Sequence, residues 1–304
     1  MSAKYYRFLY HPVPRGIAFS ASVGAEHGKD GYQLLYLGGG VKWEKLKKCA
    51  GIFDDGLQLL ILADLQPETV ECACHILEKQ KAATVMLPED TNSRSVHTAF
   101  TSAGVKEICE IAERKEFMEK NFRLRLFCVG EASERTLLFY IGSMYCPADE
   151  ECMMQVKAAD ADLACGMTVN TENLCCEMRC MLRQDITITL CKRQNQKDGV
   201  YFVDGHLLTG TADLSKYLLK IKEYLADDWK KIRFAAIPAG GSKEAWDEGL
   251  LEIGTKNHQR YLIGTSEVDA QILKEIMVKD ARQTFFCVSE TCGLCISGCF
   301  MERK

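Results

Sequence analysis

Two separated stretches of this chain run through the same order of elements, and that repetition limits its fold more than any other feature. In the first, the apolar run Leu57–Leu62 (LQLLIL) leads to a predicted helix, Pro67–Lys81, and then to a second apolar run, Ala83–Pro88 (ATVMLP). In the second, Ile232–Ile237 (IRFAAI) leads to a predicted helix Glu244–Ile253, a strand Tyr261–Gly264 and a helix Val268–Met277. Short unbroken apolar runs suit strands buried on both faces, and helical crossovers are what cover those faces. Val70, Cys74, Leu77 and Lys81 share one face at helical spacing, while Pro67 fits a first turn, where its missing N–H costs nothing. A layered α/β sandwich is the expected architecture.

The remaining segments fill in around these units. Tyr5–Leu9, Ile17–Val23 and Tyr32–Leu37 read as strands, with Gly28–Gly31 suited to a hairpin turn. Arg94–Phe122 reads as two helices divided at Gly104, the second packing through Val105, Ile108, Ile111 and Ala112. Arg123–Val129, Thr136–Ile141, Asn173–Leu182, Ile186–Cys191 and Val200–Leu208 are rich in strand formers. Asp213–Leu225 is an amphipathic helix with Asp213 at its start, and Lys42–Lys48 has the spacing of a surface helix. The acidic stretch Pro147–Thr171 has no assignable element.

The junctions after three of the strands carry the functional signal. They read Ala63-Asp64-Leu65-Gln66-Pro67-Glu68-Thr69, then Leu208-Thr209-Gly210-Thr211-Ala212-Asp213, then Pro238-Ala239-Gly240-Gly241-Ser242. In order and separation, across roughly residues 5 to 275, these resemble the metallo-β-lactamase-like hydrolases. That family places H-x-H-x-D-H, T-G-D and P-H-H-G-S at the corresponding strand ends. The resemblance implies a four-layer αβ/βα sandwich of two mixed sheets with outer helices, and a cleft where the junctions meet. It also implies that the cleft is degenerate. Asp64, Gln66, Glu68 and Thr69 stand at the first set of ligand positions, Thr211 replaces the bridging aspartate, and Ala239 and Gly240 replace two histidines.

Zinc hydrolysis needs several imidazole or carboxylate ligands and an open position that acidifies a bound water. The chain has six histidines, none at a ligand position of the motif. Two functions remain open. The chain is a catalytically inactive binding or regulatory module for a protein or a small anionic ligand, with no cofactor in the cleft. Otherwise Asp64, Glu68 and Asp213 form an oxygen-only site for Mg²⁺ or Mn²⁺ that hydrolyses a phosphoester or related bond. Against the second stands an ordinary reading of the same acids as loop and helix-start residues. Gly240, Gly241 and Ser242, before a predicted helix, offer main-chain amides to a carboxylate or phosphate. Gly38-Gly39-Gly40 lacks the spacing of a phosphate loop, and no G-x-S-x-G elbow occurs.

Sixteen cysteines are many for a chain with no evident export signal, so reduced thiols are expected. Cys72, Cys74, Cys109, Cys128 and Cys191 sit in apolar elements as small core residues. Residues 283–304 are expected to be a final strand, Thr284–Val288, and a cysteine-rich tail beyond a single domain at 1–282. Cys287, Cys292, Cys295 and Cys299 there have spacings that could hold zinc or an iron–sulfur cluster. The net charge of −4 gives no nucleic-acid footprint, and no run approaches the ~20 apolar residues of a membrane span. A cytoplasmic location is expected, with pairing of exposed sheet edges as a route to homo-oligomers.

Overall fold

The computed structural model describes residues 4–11, 13, 15–25, 32–47, 56–80, 82–90, 93–119, 122–131, 134–142, 144–146, 150–158, 200–202, 205–254, 260–264, 268–280, 284–288 and 294–302. The first half runs β1 (Lys4–Tyr10), β2 (Ile17–Ala25), β3 (Tyr32–Gly38), α1 (Trp43–Leu46), β4 (Leu59–Leu62), α2 (Pro67–Lys79), β5 (Thr84–Pro88), α3 (Ser93–Ser102) and β6 (Glu107–Ile111). There follow β7 (Arg114–Glu119), β8 (Phe122–Val129), β9 (Thr136–Gly142), β10 (Met144–Cys146), β11 (Glu150–Ala158), β12 (Val200–Phe202) and β13 (Gly205–Leu208). The chain continues with α4 (Leu214–Leu225), β14 (Ile232–Ala236), β15 (Arg260–Gly264), α5 (Ala270–Asp280), β16 (Thr284–Val288) and β17 (Leu294–Glu302).

Two mixed sheets result. The first has the order β11-β17-β1-β2-β3-β4-β5-β6, the second β16-β15-β14-β13-β9-β8-β7, and β10 pairs with β12 apart from both. In each, parallel strands joined by crossovers (β3 to β6, and β13 to β16) lie beside an antiparallel portion. This is a four-layer αβ/βα sandwich of two mixed sheets with outer helices, the architecture expected from the sequence.

Three apolar clusters mark the three layer interfaces. Phe8, Tyr10, Phe19 and Tyr36 from the first sheet meet Leu124, Phe139, Phe234 and Tyr261 from the second. Leu35, Leu37, Leu60 and Leu62 pack outward under Cys72, Ile76, Leu77 and Phe100 of α2 and α3. Leu138, Leu207, Ala235 and Leu262 pack outward under Leu218, Ile221, Ile272 and Ile276 of α4 and α5. Strand parity explains the unbroken apolar runs. Leu34 and Tyr36 face the inner core while Leu35 and Leu37 face the helices, so both faces of β3 are buried against apolar neighbours.

Several expected elements take a different form. The helix expected after Gly104 is two strands, β6 and β7. Ile108 joins the outer cluster, whereas Cys109 and Ile111 join the inner one, an alternation of faces that a helix cannot produce. The helix expected at 244–253 is a chain of short 3-10 turns, because the Asp247 carboxylate accepts the Gly249 N–H at 2.7 Å and restarts the backbone there. Val200–Leu208 is split between β12 and β13, which lie in different sheets. Residues 150–158, unassigned from sequence, form the edge strand β11. The stretches 173–182 and 186–191, and Cys191 with them, lie outside the described residues.

The largest difference is at the C-terminus. Residues 294–302, expected as a tail after a final strand, form β17 between β1 and β11 within the first sheet. The last strand of the chain thus pairs with the first.

Candidate functional site

The three junctions that carry the sequence signal meet at one edge of the sandwich. A Cβ built on Gly210, after β13, would stand 3.0 Å from the Ala63 Cβ at the end of β4. The Gly210 carbonyl accepts the N–H of Ala239, after β14, at 2.9 Å. The Ala63 carbonyl accepts the Leu137 N–H at 2.6 Å, and the Thr209 hydroxyl donates to the Ala236 carbonyl at 2.7 Å. Ala239 has φ 47°, a left-handed conformation that costs an L-residue with a Cβ roughly 1–2 kcal/mol. The hydrogen bond to Gly210 and the packing of the loop hold it there.

Asp64 is buried at 4% exposure and both carboxylate oxygens are engaged. Oδ2 accepts the Gly39 N–H at 2.6 Å, and Oδ1 accepts the Gln66 N–H at 3.2 Å and the Thr69 hydroxyl at 3.0 Å. Thr69 Oγ1 in turn accepts the Gly40 N–H at 3.1 Å. Burial pushes the Asp64 carboxyl above the usual carboxylate range, against the pull of its three donors, and the charge of Glu68 adds to the rise. The buried Tyr36 phenol is also pushed well up, by desolvation first and the nearby Asp64 second. Asp64 and Thr69 therefore tie the glycine loop after β3 to the start of α2. Gln66 is the N-terminal flanking residue of α2, and its amide oxygen would lie 3.1 Å from a Cβ on Gly40, with the Arg15 guanidinium 3.9 Å from the same point. Glu68 lies in the first turn of that helix, half-buried.

The other matched positions have local partners too. The Thr211 hydroxyl meets that of Thr136 at 2.5 Å. Asp213 sits at the start of α4 as expected, but it makes no side-chain cap; its carboxylate takes Lys216 Nζ at 2.8 Å and the Ser215 hydroxyl at 2.5 Å. Burial pushes the Asp213 carboxyl up, but those two donors outweigh it and hold the group below its ordinary range. The Ser242 hydroxyl donates to Glu244 at 2.5 Å, and the turn that follows is only Lys243–Ala245, so the amide cradle expected at Gly240–Ser242 has no helix behind it.

Asp64, Glu68 and Asp213 do not come together: among the described residues no three His, Cys, Asp or Glu side chains are grouped closely enough to hold a metal. The oxygen-only site expected as the second possibility is therefore not formed by these three. The donors at the matched positions also lack imidazole, and Asp64 has no oxygen to spare, so they do not fit a pair of zinc ions.

The C-terminal cysteines are divided between sheets. Cys287 lies in β16 in register with Ile263 of the second sheet, while Cys295 and Cys299 lie in β17 opposite Leu9 and Tyr5 of the first. Cys292 is outside the described residues. Elsewhere, burial pushes the Cys72 thiol up to about 12 and the Cys128 thiol up to about 11, as suits core cysteines rather than nucleophiles. Burial likewise raises Cys74 and Cys109.

Two features had no role assigned from sequence. Thr136 and Leu137, at the start of β9, bridge the junctions after β4 and β13, and nothing in the local sequence marks them. His206 is fully buried between the sheets, its ring stacked on Phe234 at 4.6 Å. Its signal was available: a single imidazole inside the apolar strand GHLL needs a buried partner.

No helix among the described residues is long and apolar enough to cross a membrane. No family model and no curated protein matches the chain. Among solved structures, Rm3 metallo-β-lactamase is similar over 44% of this chain and 56% of its own, with 12% identity and a TM-score of 0.29. The chain thus spans little more than half the length of that enzyme, and a likeness of this size carries no weight for activity. The fold rests on the layer order and the sheet topology.

Proposed function

We propose that this chain is a binding or regulatory module on a metallo-β-lactamase-like scaffold, with a cleft that no longer performs hydrolysis. One observation carries the reading. Ala63, Gly210 and Ala239 bring the three junctions together as a hydrolase of this architecture requires, yet Asp64, Thr69, Thr211 and Asp213 are spent on hydrogen bonds within the scaffold. The occupant is an unidentified protein or a small anionic molecule. The setting in this reading is reducing and cytoplasmic, where cysteines such as Cys72, Cys74, Cys109 and Cys128 stay as thiols.

The test is metal content measured on protein purified without chelators, alongside turnover of bis-p-nitrophenyl phosphate and nitrocefin with added Zn²⁺, Mn²⁺ or Mg²⁺. The expected result is no turnover with any ion and no metal lost on Asp64→Ala substitution. Two ions per chain that disappear in Asp64→Ala, or Mn²⁺-dependent turnover abolished by it, would establish the hydrolase instead.

A further inference from the structure

A cavity of about 570 Å³ opens where the β6–β7 connection, the end of β8 and the outer face of α4 meet. No residue of the three junctions lines it, although Arg135 directly precedes Thr136 in the chain. Three cations line it, Arg114, Arg135 and Lys220, in a chain whose net charge is −4. Arg135 is fixed in place, its guanidinium donating to the Glu89 carbonyl at 2.9 Å and to the Glu89 carboxylate at 3.2 Å. Among the described residues neither Arg114 nor Lys220 forms an ion pair. The charges of Arg135 and Lys220 both reach the Cys128 thiol that lines the cavity, so their fields overlap inside it. Because Arg135 is paired with Glu89 and two carboxylates share the lining, Arg114 and Lys220 are the cations left to meet a bound anion.

One wall is aromatic and held in place. The Tyr224 hydroxyl donates to the Leu126 carbonyl at 3.4 Å, its ring lies 4.5 Å from that of Phe127, and the Arg114 guanidinium is 6.0 Å from the Tyr224 ring centre. Glu113 and Glu223 complete the lining and supply acceptors. The volume falls within the roughly 300–1,000 Å³ of small-molecule sites.

We propose that this cavity binds a small ring-bearing oxyanion, a phosphate or carboxylate. The anion would be held by the planar fork of Arg114 with Lys220, and the ring would lie against Tyr224 and Phe127.

Calorimetric titration of the full chain with phenyl phosphate, inorganic phosphate and phenol tests this at low ionic strength. The expected result is saturable one-to-one binding of phenyl phosphate, at least threefold tighter than inorganic phosphate, and none of phenol. Arg114→Gln/Lys220→Gln should weaken phenyl phosphate at least tenfold, while Lys42→Gln/Lys45→Gln on α1 leaves it within twofold. Should the double variant lose its circular dichroism, Lys220→Glu on the exposed face of α4 should give the same loss in a folded chain. No saturable binding, unchanged affinity in the cavity variants, or equal weakening in the α1 control would each overturn the site. Equal affinity for phosphate and phenyl phosphate would overturn the role given to the aromatic wall.

Discussion

Tyr10 and His206 meet across the inner core, hydroxyl to Nδ1 at 2.9 Å, and link a strand of the first sheet to a strand of the second. His206 Nε2 has no partner there, and Phe8, Phe19 and Phe234 surround the ring. Burial pushes its pKa down to about 3, so the folded state holds the imidazole neutral.

The unfolded chain takes up a proton at His206 near pH 6.5, and the folded one only near pH 3. The stability that depends on the neutral ring is therefore complete above pH 6.5 and is lost as pH falls toward 3. Urea titrations across this range should show a decline on the order of 4 kcal/mol from this group, at about 1.36 kcal/mol per pH unit. His206→Phe should flatten that slope, and at pH 7.5 it should cost about 1 kcal/mol for the lost hydrogen bond to Tyr10. An unchanged slope in the variant would place the titrating group elsewhere.

Asp64→Ala removes the acceptor for Gly39 N–H, Gln66 N–H and the Thr69 hydroxyl together. At about 1 kcal/mol for each lost hydrogen bond, the variant should be about 2–4 kcal/mol less stable by urea denaturation. A loss below 0.5 kcal/mol on this scale, roughly a surface substitution, would show that the staple between the glycine loop and α2 is not structural.

Gly210→Ala should disturb the meeting of the junctions directly. Its Cβ would lie 2.8 Å from Thr136 Cγ2 and 3.0 Å from both the Ala63 Cβ and the Tyr36 hydroxyl, at φ +56°. Crowding of that kind costs about 1–3 kcal/mol, and scanning calorimetry should register a lower Tm. A Tm equal to that of the parent would mean the three junctions are farther apart in solution.

Ala239→Gly tests the strained position after β14. With φ 47° already in the region glycine prefers, the change should stabilise the chain by about 1 kcal/mol, and Ala239→Val should destabilise it by more than that. Both are read as shifts in the urea midpoint. A lower midpoint for Ala239→Gly would show that this loop is not strained.

Much of the site's frame is legible in the amino-acid order itself. The runs at 57–62, 83–88 and 232–237 are recognisable because doubly covered parallel strands must be apolar on both faces, and Pro67 marks the start of α2. The order of Asp64, Thr211 and Ala239 along the chain likewise marks where three strand ends lie. What those residues do there is not legible. Asp64 finds one of its three donors at Gly39, twenty-five positions away, and Thr211 finds Thr136, seventy-five positions away. Such pairings leave no local pattern.

Composition and periodicity alone thus determined a layered α/β chain, its strand–helix–strand unit at 57–88 and a junction poor in nitrogen ligands, since burial on both faces of a strand dictates residue type locally. Only the tertiary structure decided that residues 107–111 are a strand, that 294–302 enter the first sheet beside β1, and that the Asp64 carboxylate turns inward to Gly39. Each of these is settled by a partner distant in sequence. Ladder hydrogen bonds and buried carboxylates are satisfied by whatever the fold brings near, and short stretches of sequence do not encode what that will be.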